Sequence, residues 1–277
     1  MFHKIKNKII RELIKISSDP RPSSEPFISG DGFRKMADFI YDETQNFNPK
    51  HVKEGNIVFV RSDMLKEFFK EIHPKIKDKY KLISHNSDEN ITEEYSKYID
   101  DKIIHWFAQN LMFKHPKVSV IPIGLENKYY YINGIPSMFT NLINKSTNKK
   151  NKILFGFSVS TNTEVRSKSL LELRENKNAE EILESLDGRK YLNLLRQYKY
   201  VASPPGNGVD CHRTWEAIIL GTTPICLKNI NSKLLKELGA PILINNSFKK
   251  GELKNKKITK ISRTTDFDYW KKIVNNR

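Results

Sequence analysis

Residues 200–228 read YVASPPGNGVDCHRTWEAIILGTTPICLK and carry more functional information than the rest of the chain together. Its pattern predicts a strand at Tyr200–Ser203, a Pro/Gly loop at Pro204–Val209, a helix at Asp210–Leu220 and a second strand at Thr223–Leu227. The loop therefore leads from a strand into the start of a helix. Free backbone N–H groups and the positive end of the helix dipole make such a junction suitable for binding a phosphate.

Arg213 and Glu216 lie three residues apart on the predicted helix, so both can face one ligand. A guanidinium suits a diphosphate, and a carboxylate suits ribose hydroxyls, as a bound nucleotide requires. The same spacing fits an ordinary strand–loop–helix crossover in which Arg213 and Glu216 pair with each other. Isolated glycine motifs have many false positives, so the spacing alone leaves both interpretations open.

The segment resembles the C-terminal signature of exostosin-type glycosyltransferases, in which a Gly-rich loop, an Arg, a Glu and a G-x-x-P-[IV] strand follow in that order. The match runs through SPPGNG, DCHRTWEA and LGTTPI. Stretches nearer the N-terminus are similar to bacterial exostosin-like proteins: FISGDGFRKMADFIYDE (27–43), LISHNSDENI (82–91), IIHWFAQN (103–110) and IPIGLEN (121–127). The resemblance covers roughly residues 25–250. It implies an inverting, nucleotide-sugar-dependent glycosyltransferase with the GT-B fold.

The composition is that of a polar chain that can still build a core. With 38% hydrophobic and 29% charged residues, the sequence does not have a disordered composition. The only two cysteines have no metal-ligand spacing and form no disulfide framework, which favours a reducing cytoplasm. The net charge of +16 fits nucleic acid, acidic lipid, anionic polysaccharide or a nucleotide diphosphate, and does not choose among them.

The N-terminal residues 1–16, MFHKIKNKIIRELIKI, predict a basic amphipathic helix. They lack the uninterrupted apolar stretch and small-residue cleavage site of a secretory signal. The helix can lie on an anionic membrane surface, or it can pack its apolar face on the domain. No window of about eighteen apolar residues occurs, so no membrane span is expected. We therefore expect a cytoplasmic protein, either free or peripheral on the inner face of the membrane.

Apolar β-branched runs alternate with helical patterns, which is typical of parallel α/β units. The polar segment Asn141–Lys152 is the best linker. We expect an α/β fold of two Rossmann-like domains, at 1–145 and 146–262, with parallel sheets facing across a cleft. The resemblance to GT-B enzymes implies that 263–277 is a helix returning toward the first domain. Further helices are predicted at Phe33–Thr44, Asp63–His73, Val165–Arg174, Ala179–Leu186 and Lys190–Gln197, and further strands at Pro26–Ser29, Asn56–Val60, Lys81–His85, Lys102–Phe107, Val118–Ile123, Ile153–Phe157 and Pro241–Asn245.

The second domain should hold the sugar-nucleotide donor, which needs cations at its diphosphate. His212 can donate to a phosphate oxygen, and Asp210 is most simply the N-cap of the helix. Exostosin-like enzymes resemble this chain in having an arginine at the place of Arg166, which implies a second diphosphate contact. Without the resemblance, Arg166 fits a solvent-facing helix residue. The candidate donor-binding residues are Arg166, Gly206, Gly208, His212, Arg213 and Glu216.

The first domain should supply the base that takes the proton of the acceptor hydroxyl. Asp31 and Asp88 each follow a predicted strand, and ligands of parallel sheets bind at the carboxyl ends of the strands. Asp31 is the first choice, since Gly30 and Gly32 leave its side chain open. Both aspartates equally fit turn or helix caps. Arg34, His85 and Asn86 are candidate acceptor contacts.

No metal and no other cofactor is expected. Asp266-Phe267-Asp268 matches the D-x-D pattern of metal-dependent enzymes, but it precedes YWKKIV, where N-capping explains it better. The expected partners are the nucleotide sugar and a glycan or glycolipid acceptor. Two alternatives stay open: a non-catalytic protein that binds nucleic acid or another polyanion, and a degenerate member that binds sugar nucleotides without catalysis. The dispersed lysines and the lack of a known module argue against nucleic acid.

Overall fold

The computed structural model describes residues 21–131, 133–143, 145–249 and 262–277. The predicted amphipathic helix at 1–16 lies outside these residues. The fold is α/β, with two sheets of five parallel strands each, which confirms the expected class and the two parallel sheets. Within the described ranges, no helix is both long enough and apolar enough to cross a membrane.

The first sheet contains its strands in chain order. They are β1 (Phe39–Tyr41), β2 (Ile57–Arg61), β3 (Tyr80–His85), β4 (Ile103–Ala108) and β5 (Val118–Val120). In the second sheet the order is β10-β9-β8-β6-β7. Its strands are β6 (Lys150–Phe155), β7 (Ala179–Glu181), β8 (Tyr198–Ser203), β9 (Thr223–Leu227) and β10 (Leu243–Asn245).

The α-helices of the described residues lie mainly between strands. They are α1 (Gly30–Lys35), α2 (Leu65–Glu67), α3 (Pro136–Ile143), α4 (Thr163–Arg174), α5 (Gly188–Leu195), α6 (His212–Ile219), α7 (Ile230–Glu237) and α8 (Phe267–Asn276). Around α2, the helical segment changes hydrogen-bond pattern, with a 3-10 turn at Ser62–Met64, a π turn at Phe68–Ile72 and a 3-10 turn at His73–Lys75. Shorter 3-10 turns occur at Pro49–His51, Glu93–Tyr98, Lys128–Tyr130, Val159–Thr161 and Arg263–Thr265.

The strand order of the first sheet leaves one of its faces without crossovers. Right-handed connections between strands that follow one another in chain order all lie on the same face. On that face, Val58, Val60 and Leu82 pack with Leu65 and Tyr95 of the connecting segments. The opposite face must therefore be covered by chain from elsewhere.

Two helices cover this opposite face, one from each end of the described chain. Phe33 of α1 and Trp270 of α8 join Phe59 and Ile83 in one buried cluster. The Lys81 ammonium donates to the carbonyls of Val274 and Asn275, which are otherwise open carbonyls at the end of α8. The C-terminal helix therefore packs on the first sheet.

The second sheet is covered on both faces by helices, which are its own crossovers and α3. Leu173 of α4 packs with Ile153 and Tyr200 on one face. On the other face, Leu192 of α5 and Ala217 of α6 pack with alternate strand residues. The reversal of strand order between β6 and β8 places the crossovers on both faces.

Helix α6 lies between the two sheets. Every residue from Thr214 to Ile219 is buried. Ala217 and Ile219 pack with the second sheet, whereas Trp215 and Ile218 join the core of the first sheet. The helix predicted to carry the functional residues is therefore fixed by apolar contacts on both sides.

Several sequence predictions of secondary structure are wrong. The predicted helix at Phe33–Thr44 stops early, because α1 ends at Lys35. The chain beyond it is drawn into the sheet: β1 pairs with β2, and the Asp38 carboxylate accepts from the backbone N–H of Ile57 at 2.8 Å. The predicted helix at Ala179–Leu186 instead begins as β7, which pairs with β6. Pro26–Ser29 forms isolated bridges only, at Phe27 and Ser29. The predicted linker is shorter than expected, because α3 continues to Ile143 and β6 begins at Lys150.

Candidate functional site

The segment 200–228 folds as the expected strand, loop, helix and strand. Helix α6 begins at His212, two residues later than predicted, and Cys211 takes the N-cap position without a side-chain capping bond. The helix start thus faces the carboxyl end of β8, where the loop 204–211 enters it.

Asp210 is a buried carboxylate that connects the two halves of the chain, rather than the expected N-cap. Its Oδ2 accepts from the backbone N–H of Ile123 and from Trp215 Nε1, both at 2.9 Å. Its Oδ1 accepts from the backbone N–H of Cys211 at 2.9 Å. Burial raises the pKa of Asp210 to about 6, and these donors favour the charged form. The start of α6 is therefore held to the loop after β5.

A cavity of about 500 Å³ lies at the carboxyl edge of the second sheet. Its walls come from the segment after β6, the segment after β7, and the first turns of α5 and α6. This edge is where ligands of parallel sheets bind. The lining residues are Asn133, Gly156, Phe157, Ser158, Ile182, Glu184, Ser185, Leu186, Gly188, Tyr191, His212, Arg213 and Glu216.

Arg213 and Glu216 both line this cavity, and they do not pair with each other. Arg213 Nη2 donates to the carbonyl of Gly156 at 2.7 Å, and Nε donates to the hydroxyl of Tyr191 at 3.3 Å. No ion pair or hydrogen bond reaches the Glu216 carboxylate from any described residue, although Glu216 is only 7% exposed. Burial raises the pKa of Glu216 to about 7, and the nearby charge of Arg213 opposes this rise.

Arg166 supports the Pro/Gly loop and does not line the cavity. Its Nε donates to the carbonyl of Pro205, and its Nη1 donates to the carbonyl of Ser158, both at 2.9 Å. A side chain at Gly206 would lie 2.8 Å from Arg166 Nη2, and one at Gly208 would lie 2.6 Å from Asn110 Nδ2. The two glycines therefore make room for protein side chains. The structure brings Arg166, Gly206 and Gly208 together, outside the lining of this cavity.

A second cavity of about 180 Å³ lies at the carboxyl edge of the first sheet. It adjoins the start of α6, and its polar lining includes three side-chain amides, of Asn86, Gln109 and Asn127. The lining residues are Gly30, His85, Asn86, Ser87, Asp88, Gln109, Ile123, Asn127, Tyr130 and His212. Of the residues predicted for the first half, His85, Asn86 and Asp88 thus come together.

His85 and Asn86 hold each other in place. The His85 Nδ1 accepts from the backbone N–H of Asn86 at 2.6 Å, and Nε2 lies 3.1 Å from the carbonyl of Pro122, to which it donates. Burial lowers the pKa of His85 to about 4, so the ring is neutral. Asn86 has a left-handed backbone with φ of 62°, and its side-chain amide donates to Asp31 Oδ1 at 3.0 Å.

Asp31 and Arg34 do not line the cavity, contrary to the sequence prediction. The Asp31 side chain has no exposed surface, and its Oδ1 lies 2.8 Å from Arg21 Nη2. Burial raises the pKa of Asp31, and Arg21 opposes that rise. Arg34 Nε donates to Asp42 at 2.7 Å. The open position around Asp31 expected from its neighbouring glycines is thus filled by Arg21 and Asn86.

Of the two candidate aspartates, Asp88 is the accessible one. It is exposed, it lines the smaller cavity, and its Oδ2 accepts from Asn207 Nδ2 at 3.2 Å. This bond joins the segment after β3 to the Pro/Gly loop of the second half. Asp88 is therefore better placed than Asp31 to reach an acceptor.

His212 is the residue that both cavities share. Its Nδ1 lies 2.8 Å from the carbonyl of Gly124. Burial lowers the pKa of His212, while the carbonyl and the charges of Glu126 and Asp88 raise it. The ring thus lies where the predicted donor side and the predicted acceptor side meet.

Several further residues shape these cavities without a role predicted from sequence, among them Gly124, Asn127, Gln109 and Tyr191. Gly124 and Asn127 lie within IPIGLEN (121–127), and Gln109 lies within IIHWFAQN (103–110), both quoted above for their resemblance. That resemblance is the signal that could have found them. Tyr191 had none, because one tyrosine on a helix has no distinctive spacing.

The D-x-D segment lies away from both cavities. The Asp266 carboxylate accepts from the backbone N–H of Tyr269 at 2.7 Å and caps α8, as predicted. In the described part of the chain, no group of three His, Cys, Asp or Glu side chains is arranged to hold a metal ion. A comparison with protein-family models finds no match, and a search of curated proteins finds none.

Proposed function

We propose that this chain is an inverting glycosyltransferase with the GT-B fold, similar to exostosin-type enzymes. It moves a sugar from a nucleotide-diphosphate donor to a hydroxyl of a glycan or glycolipid acceptor, in the assembly of a surface polysaccharide. The observation that carries the proposal is the cavity at the carboxyl edge of the second sheet, which contains Arg213 and the buried Glu216, a carboxylate without a partner among the described residues.

The donor cavity has the size and chemistry for a nucleotide sugar. Small-molecule sites measure about 300–1,000 Å³, and this cavity measures about 500 Å³. Arg213 Nη1 forms no hydrogen bond with a described residue, so it can donate to a diphosphate oxygen. The Glu216 carboxylate can accept from two ribose hydroxyls, which would satisfy a group that otherwise costs stability.

The smaller cavity supports a polyhydroxyl acceptor. Asn86, Gln109 and Asn127 line it, and a side-chain amide both donates to and accepts from hydroxyl groups. His212 links this cavity to the donor side. A sugar bound in the larger cavity would then have its anomeric carbon near the acceptor. The proposal also includes a cytoplasmic location and a contact of residues 1–16 with an anionic membrane surface.

Titration calorimetry with a panel of nucleoside diphosphates tests the donor site. We expect Arg213→Ala to weaken binding about 10- to 100-fold, since a hydrogen bond to a charged group contributes about 1.5–3 kcal/mol. Glu216→Gln should reduce affinity for the nucleoside part. Arg263→Ala, which removes an exposed arginine near α8, is the control and should bind normally. Failure of every nucleotide to bind the wild type would refute the proposal, as would wild-type affinity in Arg213→Ala.

Catalysis should need no divalent metal, because Arg213 and the start of α6 can carry the diphosphate charge. Release of nucleoside diphosphate from a nucleotide sugar should therefore continue in EDTA. Complete loss in EDTA, with recovery on adding manganese or magnesium, would show that this part of the proposal is wrong.

A further inference from the structure

We propose that His212 is the general base of the transfer, an inference that rests on the proposed function. His212 Nε2 takes the proton of the acceptor hydroxyl as the hydroxyl oxygen forms a bond to the anomeric carbon. The bond from that carbon to the diphosphate oxygen breaks, and the nucleoside diphosphate leaves with the electron pair. The imidazolium then returns its proton to water.

The position of His212 fits this role better than that of any carboxylate considered above. Its ring lines both the cavity of Arg213 and Glu216 and the cavity of the amide side chains. A base for this reaction must lie within hydrogen-bond reach of the acceptor hydroxyl, on the side of the anomeric carbon away from the leaving group. His212 lies at the junction of the two cavities, where a hydroxyl bound among the amide side chains comes within its reach.

The hydrogen bond to Gly124 fixes which ring nitrogen is the base. A carbonyl only accepts, so Nδ1, 2.8 Å from the Gly124 oxygen, must carry the proton. In the neutral ring, Nε2 is then an acceptor, and no described residue bonds to it. Donation from Nε2 to a phosphate would require a charged imidazolium. The geometry therefore favours proton uptake over the phosphate contact predicted from the sequence.

The Gly124 carbonyl is itself held firmly. Gly124 has φ of 68°, and a side chain there would lie 2.4 Å from the carbonyl oxygen of Ile28. The next backbone N–H, of Leu125, donates to this same oxygen at 2.9 Å. Gly124 and Ile28 approach so closely that only a glycine fits at position 124. This contact fixes the position of the Gly124 carbonyl, which accepts the hydrogen bond from His212 Nδ1.

The surroundings favour the neutral ring before transfer and can stabilise the charged ring after it. Burial lowers the pKa of His212, and its place at the start of α6 also disfavours a positive charge there. The charged groups that face it are Asp88, from the segment after β3, and Glu126, from the segment after β5. His85 is close as well, and it is neutral. The two carboxylates attract the imidazolium once it forms.

The matched variants are His212→Asn, His212→Ala and Asp88→Asn. In His212→Asn the side-chain amide can still donate to Gly124, so the local structure is kept while Nε2 is lost. Turnover is measured as release of nucleoside diphosphate from the nucleotide sugar selected by calorimetry, and circular dichroism melts check folding. We expect both His212 variants to lose about 10²- to 10⁴-fold in kcat. Their affinity for nucleoside diphosphate should stay within about threefold of the wild type, because the base acts mainly in the transition state.

The pH dependence gives a second readout. In the wild type, kcat/KM should fall on the acid side as His212 becomes protonated, and this fall should be absent from the residual activity of His212→Asn. In His212→Asn, retained turnover would overturn the proposal, as would a loss of nucleotide affinity comparable to that of Arg213→Ala. Loss of turnover in Asp88→Asn alone would make Asp88 the base. If the wild type binds no nucleotide, the proposed function itself fails, which calorimetry detects before any turnover is measured.

Discussion

The two sheets have the same number of parallel strands, but they differ in strand order. The first sheet runs β1-β2-β3-β4-β5 without a reversal, whereas the second reverses between β6 and β8. In parallel sheets, ligands bind where the strand order reverses. The larger cavity lies in the second sheet, beside the segment after β6. The smaller of the two cavities that His212 lines is at the first sheet, and His212 of α6 forms part of its wall.

Strand order also decides which helices each sheet needs. The second sheet covers both of its faces with its own crossovers, α4 on one and α5 and α6 on the other. The first sheet takes α1 and the distant α8 to cover one face. The second sheet also packs with Phe139 and Leu142 of the neighbouring α3, whereas the first depends on the distant end of the chain.

The largest expected effect comes from removing the contact of α8 with the first sheet. Trp270 is 1% exposed, and its Nε1 donates to the carbonyl of Thr264 at 2.9 Å. Trp270→Ala should lower the free energy of unfolding by about 3–5 kcal/mol, the usual cost of truncating a buried aromatic side chain. Urea denaturation measures this loss, and Lys272→Ala, an exposed change on the same helix, should leave the stability nearly unchanged.

Hydrogen exchange of Trp270→Ala then locates the loss. Amides of β2, β3 and β4 should lose more protection than amides of β6 and β8, because α8 packs on the first sheet. An equal loss in both sheets would show that the two halves unfold as one unit, and the contrast drawn above would be wrong for stability.

A smaller effect is expected from breaking the buried link between the halves. Asp210→Ala removes the acceptor of the Ile123 N–H and of Trp215 Nε1. Each buried donor left without a partner costs about 1–3 kcal/mol, so we expect a loss of about 3 kcal/mol. Glu237→Ala is the control, since it removes the exposed ion pair of Lys114 and Glu237 that also joins the halves. That change should cost less than about 1 kcal/mol, and equal losses in the two variants would contradict the role given to Asp210.

The elements of residues 200–228 and the α/β class were predicted from the sequence most accurately. Around the signature segment, β9 has the bounds predicted for it, and α6 lies within its predicted range. Loop residues such as Pro204 and Gly206 mark the ends of these elements, and the apolar runs between them are long enough to show a period. The α/β class and the two parallel sheets followed from the alternation of such segments.

Short edge strands were missed, because tertiary pairing overrides local propensity. Ala179–Glu181 has helix-favouring residues and pairs with β6, while Phe39–Tyr41 continues an apparent helical period and pairs with β2. Some of the candidate site residues lie elsewhere than expected for a related reason. Asp31 was predicted to be open, but its burial depends on Arg21, and no local pattern shows that contact. Gly206 and Gly208 suggested a phosphate loop, whereas they accommodate Arg166 and Asn110.

Gly124 and Gly55 both have left-handed backbones, but only Gly124 is closely packed. Comparing their alanine variants therefore distinguishes the cost of backbone strain from the cost of overpacking. Gly124 has φ of 68° and would place a side chain 2.4 Å from the Ile28 oxygen, whereas Gly55 has φ of 83° with open space around it. Gly55→Ala should cost about 1 kcal/mol from left-handed strain alone. Gly124→Ala should cost about 2–3 kcal/mol, because overpacking adds to that strain. Urea denaturation of both variants tests the comparison, and similar losses would mean that the contact with Ile28 relaxes easily.

The last expected effect concerns Glu216, which has no partner among the described residues, and it should be a gain rather than a loss of stability. Folding raises its pKa from the ordinary value of 4.5 to about 7, so the fold favours the protonated carboxyl. Its favourable contribution is complete below pH about 4.5 and is lost as the pH rises through about 7. Each pKa unit corresponds to about 1.4 kcal/mol, and relaxation of the protein around the charged carboxylate offsets part of the shift. We therefore expect Glu216→Gln to be more stable than the wild type by about 2 kcal/mol at pH 8. The difference should vanish near pH 4.5.

Thermal melts of the nucleotide-free protein between pH 4.5 and 8 measure this difference. Glu172 is the matched control, since it is also buried in the second half but accepts from the backbone N–H of Phe248 at 2.8 Å. Glu172→Gln should not stabilise the protein at any pH, because that carboxylate already has a partner. If Glu216→Gln gains nothing at pH 8, then Glu216 is compensated within the free protein. The main evidence that its carboxylate awaits a ligand would then be lost, and the second sheet would keep its cavity without a demonstrated binding group beside Arg213.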